Sequence, residues 1–231
     1  SDAARQTAQL VLLDSDFAVL KDVLLEGRRV VHNVTRSAGV FFIKTLYSIL
    51  LCVLCLLTNT LFPFVPIQIT LIDLVIEGYP SFFLSFLPDS RPVRTKFLPE
   101  AIRRAAPNAL AIGICFLFYL VLHAMGIFGL SGEQTQANTL LFLLIGTVGL
   151  LGVFKMCLPF TKVKAFFAAT SAIGFYFAIA LCLWLQQHLL HLDILHLAVP
   201  TGTTLLFFGL FAVVAILTAS ILSRTLFKQK R

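Results

Sequence analysis

The sequence predicts a mainly α-helical protein: a polytopic membrane bundle of six transmembrane helices, preceded by a short cytosolic strand–helix lead-in. Three observations lead there. Of 231 residues, 58% are hydrophobic and 13% charged, whereas a soluble domain carries about a quarter charged residues. Six apolar runs reach the length of about 20 residues that a membrane helix needs. The Lys and Arg residues fall between those runs rather than in one patch. The net charge of +7 is therefore no sign of a nucleic-acid partner.

The lead-in comes first. VLLD (11–14) reads as a short buried strand, and FAVLKDVLLEGRRVVHNVTRS (17–37) as a mostly amphipathic helix. That helix is expected to pass Gly27 and run straight into the first span as one rod. The spans are expected near 38–58, 64–87, 106–125, 137–154, 165–186 and 198–221. The chain thus divides into a lead-in, 1–37, and a transmembrane domain, 38–231. Its opening, SDAARQTAQLVLLD, is polar and lacks an initiator Met. It reads as the interior of a larger protein rather than as a signal peptide.

Charge between the spans sets the expected orientation. The second and third spans are joined through Arg91, Arg94, Lys96, Arg103 and Arg104. Lys155, Lys162 and Lys164 join the fourth to the fifth, and Arg224, Lys228, Lys230 and Arg231 follow the sixth. The connections 59–63, 126–136 and 187–197 hold no Lys or Arg. Cytoplasmic connections carry the excess of Lys and Arg, so both chain ends are expected in the cytosol. The basic connection 91–104 sets topology first and meets anionic lipid headgroups second.

The second span carries two acids, Asp73 and Glu77, inside FPFVPIQITLIDLVIEGYPSFFLSFL (62–87). An i, i+4 spacing puts both on one face of a helix. A carboxylate at that depth costs at least about 2.5–3.5 kcal/mol, so keeping two on one face points to cation binding. Hard cations such as Ca²⁺ and Mg²⁺ take oxygen ligands. Gly78 and Pro80 follow directly and are expected to unwind the helix, freeing backbone carbonyls as further ligands. A purely structural polar pair, neutralised by Lys44, is the plainer reading.

On the first span Lys44 either snorkels to the headgroups or is a built-in counter-charge to the acids. Thr45 and Ser48 are candidate oxygen ligands, and Tyr47 is a candidate hydrogen-bonding group at the same depth. Cys52 and Cys55 form a C-x-x-C, but flanked by Leu and Val on a helix they read as packing residues. No disulfide framework is expected from the five cysteines. His188, His191, Asp193 and His196 read as interfacial polar residues before they read as a metal site, with Trp184 in the aromatic belt. Gly126, Gly149 and Gly152 read as close-packing or turn positions.

Two stretches carry a family resemblance. Asp2, Ala3, Ala4, Val11, Leu12, Leu13, Asp14 and Phe17, then Glu26, Gly27, Arg28 and Asn33, match the segment that closes the phosphorylation domain of P-type ATPases. VPIQITLIDLVIEGYP resembles that family's sixth membrane helix: Pro66, Gln68, Leu74, Gly78 and Pro80 match its pattern, and Asp73 and Glu77 stand at its cation-ligand positions. KTLYS (44–48) and EGYPSFFLSFLP (77–88) look closest to a bacterial branch near the calcium pumps.

The resemblance implies that the chain is the end of the phosphorylation domain plus membrane helices five to ten. It implies an ATP-driven pump in a bacterial plasma membrane that moves a divalent cation, most simply Ca²⁺. Mg²⁺ and ATP are the implied cofactors, and their sites fall in the missing N-terminal part of the same polypeptide. The implied partners are that part, the membrane lipid and the transported cation. The chain itself has no D-K-T-G-T phosphorylation motif, no T-G-E loop and no G-D-G-x-N-D motif, so it holds no catalytic residue. Departures from the reticulum calcium pump stand at Asp73, Ile76, Glu77, Thr45 and Ser48, and the fourth span has no acid. One ion per cycle is therefore expected rather than two. A secondary cation-coupled transporter, or a P-type pump for Mg²⁺, H⁺ or polyamine, is the alternative.

Overall fold

The computed structural model describes residues 2–12, 16–88, 92–93, 96–124, 134–190 and 195–225. Leu13, Asp14, Arg91, Arg94, Gly126, His191, Asp193 and the tail after Thr225 lie outside the described residues. The elements are α1 (Asp2–Thr7), α2 (Val19–Thr58), α3 (Pro66–Ile72), a π-helical turn (Asp73–Gly78) and α4 (Tyr79–Leu84). Then come α5 (Phe97–Ala124), α6 (Gln134–Met156), α7 (Lys162–Leu185), a second π-helical turn (Gln186–Leu190) and α8 (Gly202–Thr225). Among the described residues, six helical stretches are long and apolar enough to cross a membrane. The protein is a multi-pass membrane protein, and α3, the π turn and α4 act together as its second span, Pro66–Leu84.

α2 is a single unbroken helix of 40 residues. Gly27 does not stop it, and a Cβ there would meet nothing within 4 Å. It ends where Asn59 adopts the left-handed conformation (φ 53°) and sends its N–H to the Cys55 carbonyl, a left-handed C-cap that satisfies an otherwise orphan acceptor. Gly39, Ile43, Tyr47, Leu51 and Cys55 form a buried stripe along it. α2 as a whole packs mainly on α5.

The lead-in differs from the sequence expectation. Among the described residues there is no strand: Val11 and Leu12 are irregular, and Val11 is exposed. A single strand is not stable without a pairing partner, and none is present among the described residues. The helix α1 was not anticipated. α5 also begins well before residue 106, because Glu100 sits in its first turn, where a negative charge stabilises the helix N-terminus. Arg103 and Arg104 therefore stand on a helix rather than in a loop.

α6 is the most enclosed span. Leu140, Phe142, Leu144, Val148 and Val153 are all fully buried. One face carries small residues that let neighbours approach closely. A Cβ at Gly146 would lie 2.1 Å from the Phe175 ring, one at Gly149 3.2 Å from Ile76, and one at Gly152 2.5 Å from Ile43. Gly149 and Gly152 are thus close-packing positions. Buried amides fasten the ends. Gln68 accepts from the Val65 N–H and donates to the Leu195 carbonyl, 2.9 Å away. Gln136 donates to the Val199 carbonyl and accepts from Thr204. Asn33 donates to the Ser85 and Leu87 carbonyls at 2.8 and 2.9 Å, tying the α2 rod to the far end of the second span.

Candidate cation site

The second span changes pitch where the acids lie. An α-helix needs the amide of residue 80 to donate to the carbonyl of Ile76. Pro80 has no N–H and its ring crowds that carbonyl. The chain answers by widening: the Tyr79 N–H donates to Leu74, five residues back, and Asp73–Gly78 is π-helical. Such single π turns inside α-helices recur at functional sites. Gly78 suits the wide turn because a Cβ there would stand 3.1 Å from the Asp73 carbonyl oxygen. Gly78 and Pro80 therefore loosen the helix rather than unwind it, since the i→i+5 bonding keeps the backbone continuous.

The turn faces three neighbours. Ile76 is fully buried against Gly149 of α6. Tyr79 Oη shares a hydrogen bond of 2.9 Å with Thr170 Oγ1 of α7, and its ring packs edge-on against Phe167. On the α2 side stands Lys44. Its Nζ donates to Asp73 Oδ1 at 2.7 Å and lies 4.0 Å from Glu77 Oε2. One ammonium thus serves two carboxylates, and the cluster keeps a net charge of −1 with all three groups ionised.

The two acids are not equivalent. Glu77 is buried, with a side chain 3% exposed, while Asp73 is 38% exposed. Glu77 Oε2 has no hydrogen-bond partner, and neither has the hydroxyl of Tyr47, which is buried within electrostatic reach of both acids. Buried polar atoms are almost always partnered, so two orphans beside an incompletely neutralised charge cluster single it out as the candidate site.

The other sequence candidates distribute as follows. Thr45 is exposed, and its hydroxyl donates to the Phe41 carbonyl of its own helix. Ser48 is half-buried on α2, one turn beyond Lys44. Cys52 is exposed and Cys55 buried, so the two thiols do not converge. His188 stacks on Trp184 and shares its Nδ1 with the Trp184 carbonyl. Among the described residues no three His, Cys, Asp or Glu side chains gather as a metal site. The sequence reading missed the pairing of Lys155 with Asn108, whose atoms lie 2.9 Å apart. A Lys at the end of one apolar span and an Asn near the start of another was the available signal.

Fold and site together define a multi-pass membrane protein organised around an intramembrane charge cluster. Over 94% of its length the chain is 39% identical to a probable cation-transporting ATPase, exp7, of Streptococcus pneumoniae. Over 84% it is 34% identical to the calcium-transporting ATPase CtpE of Mycolicibacterium smegmatis. A calcium-transporting ATPase of Bacillus subtilis is 32% identical over 36% of the chain. The chain belongs to this family of cation-transporting ATPases, the P-type ATPases. It spans about a quarter of the length of these first two relatives, 28% and 25%. No family model and no solved structure matches it.

Proposed function

We propose that this chain is the C-terminal membrane part of an ATP-driven cation pump, and that Asp73 and Glu77 hold the cation in transit. The observation that carries the reading is the buried Glu77 carboxylate with one orphan oxygen, sharing Lys44 with Asp73 on a π-helical turn. An arriving cation takes the two carboxylates and displaces the ammonium; on release, Lys44 returns and prevents two bare carboxylates from facing each other in a low dielectric. The half-buried hydroxyl of Ser48 and the hydroxyl of Tyr47 complete the oxygen set. Thr45 stays outside the proposed set because it lies on the exposed side of α2.

Ca²⁺ is the preferred cargo, in keeping with the relatives' names and with an all-oxygen set. In the intact protein Mg²⁺ and ATP act in the part that precedes this chain. Phosphorylation belongs to that part in this reading. α2 carries the resulting tilt from residue 19 to Lys44 depth as one rod. Both chain ends are cytosolic and the membrane is bacterial in this reading. A second reading has a specific observation in its favour: one ammonium against two carboxylates leaves the cluster a single negative charge, which suits a proton or another singly charged cargo.

The test is ATPase activity of the full-length protein, with Ca²⁺, Mg²⁺, Mn²⁺, K⁺ and pH varied in turn. Stimulation by Ca²⁺ that vanishes in Asp73→Asn and in Glu77→Gln supports the reading. Normal pumping by both variants refutes the ligand assignment, and stimulation by pH alone selects the proton reading.

A further inference from the structure

We propose that the end of the bundle where basic residues gather holds a second site, one for a phosphate-bearing anion, supplied by an anionic lipid headgroup. It lies in a cavity of about 400 Å³ between α2, α5, α6 and α8. Among the described lining residues four are cationic, Arg36, Arg103, Arg104 and Lys155, and none is acidic. Glu100 ion-pairs with Arg103 and Arg104 from outside the lining, which orients the two guanidinium groups without balancing the wall.

Asn108 supplies the independent observation. It lines the cavity and is fully buried. Its Oδ1 accepts from Lys155 Nζ at 2.9 Å, which turns its Nδ2 the other way, and that nitrogen has no hydrogen-bond partner. A buried amide donor left unpaired costs about 1–3 kcal/mol. An anionic oxygen in the cavity removes that cost and meets guanidinium forks whose geometry matches phosphate. The rest of the wall is mostly apolar, with Val40, Ile43 and Met156 beside the single hydroxyl residue Ser223. A headgroup with a glycerol backbone behind it suits such a wall better than a fully hydrated ion. Basic pockets between membrane helices are a recognised way to hold anionic headgroups. The site stands apart from the cation site and does not depend on which ion is carried.

The experiment uses the full-length protein in detergent micelles and counts bound lipid by native mass spectrometry. The probes are phosphatidylglycerol, phosphatidylcholine as the zwitterionic control, and inorganic phosphate as competitor. Phosphatidylglycerol should bind at least about 10-fold more tightly than phosphatidylcholine, the ratio that one charge-assisted hydrogen bond supplies. Lys155→Met should lose that preference and Lys155→Arg should keep it. Lys162→Gln, a basic residue outside the cavity, should leave it unchanged. Asn108→Ala carries the test if Lys155→Met does not fold. Displacement of the lipid by millimolar phosphate would assign the same site to a soluble phosphate. Equal binding of the two lipids with no phosphate binding, or an equal loss in Lys162→Gln, overturns the proposal.

Discussion

Replacing Lys44 by Met separates a counter-charge from a side chain that merely reaches for the headgroups. At 2.7 Å from Asp73, the attraction at an effective dielectric of about 20 is about 6 kcal/mol. Lys44 and Asp73 are 28% and 38% exposed, so screening and lost solvation remove most of it, leaving about 2 kcal/mol. An entering cation must overcome that coupling. In Lys44→Met it need not, and the cluster's charge goes from −1 to −2. The half-saturating cation concentration should therefore fall by about 30-fold, which is what 2 kcal/mol is worth. Turnover should fall with it, because release becomes the slow step. The assay is equilibrium binding of the stimulating cation to purified full-length protein, with ATPase turnover measured in parallel. Lys44→Arg should behave nearly as the parent. An affinity unchanged within twofold, or weakened, refutes the counter-charge role.

Three further outcomes follow from the packing. Pro80→Ala restores an amide for the Ile76 carbonyl and should draw the π turn back toward α geometry. Re-aiming Glu77 should raise the half-saturating cation concentration by about 10-fold, a cost of about 1.4 kcal/mol; an unchanged value means the wide turn does not aim the acid. Gly146→Val pushes a side chain into the Phe175 ring and should destabilise the bundle by about 1–3 kcal/mol, read as a lower melting temperature, whereas an unchanged one would show that the ring has room to swing away. Cys157 lies just past the α6 span and is fully buried. Burial pushes its thiol up, with Lys164 and Arg36 pulling partly back. In a variant with Cys157 as the sole cysteine, maleimide labelling of the folded protein should be slow at neutral pH and rise as pH is taken past 9. Rapid labelling at pH 7 would contradict that placement.

The spans were legible because lipid leaves a long apolar run few alternatives to a helix. The same reasoning singled out Asp73, Glu77 and Lys44, since charges at that depth are conspicuous. The π turn was not legible as such. Gly78 and Pro80 announce a disturbance, but whether the backbone unwinds or widens depends on tight neighbours such as Gly149 against Ile76. Side-chain direction was hidden for a similar reason. Thr45 and Tyr47 both sit within a turn of Lys44, yet one faces outward and the other is buried, and only the packing of α2 on its neighbours decides which. The buried strand expected at 11–14 failed at Val11 and Leu12 because three apolar letters and an acid say nothing about a pairing partner. Asn108 and Lys155 went unnoticed because each is an ordinary polar residue near a span end until the fold places them together.

The central claim is that the carboxylates on the π turn bind the transported cation. Its most direct test is the stoichiometry of equilibrium binding, to purified full-length protein, of whichever ion stimulates ATPase activity most. One ion per molecule is expected for the parent, and none for Asp73→Asn and Glu77→Gln, with both variants monodisperse. Retention of a full equivalent by Glu77→Gln would contradict it.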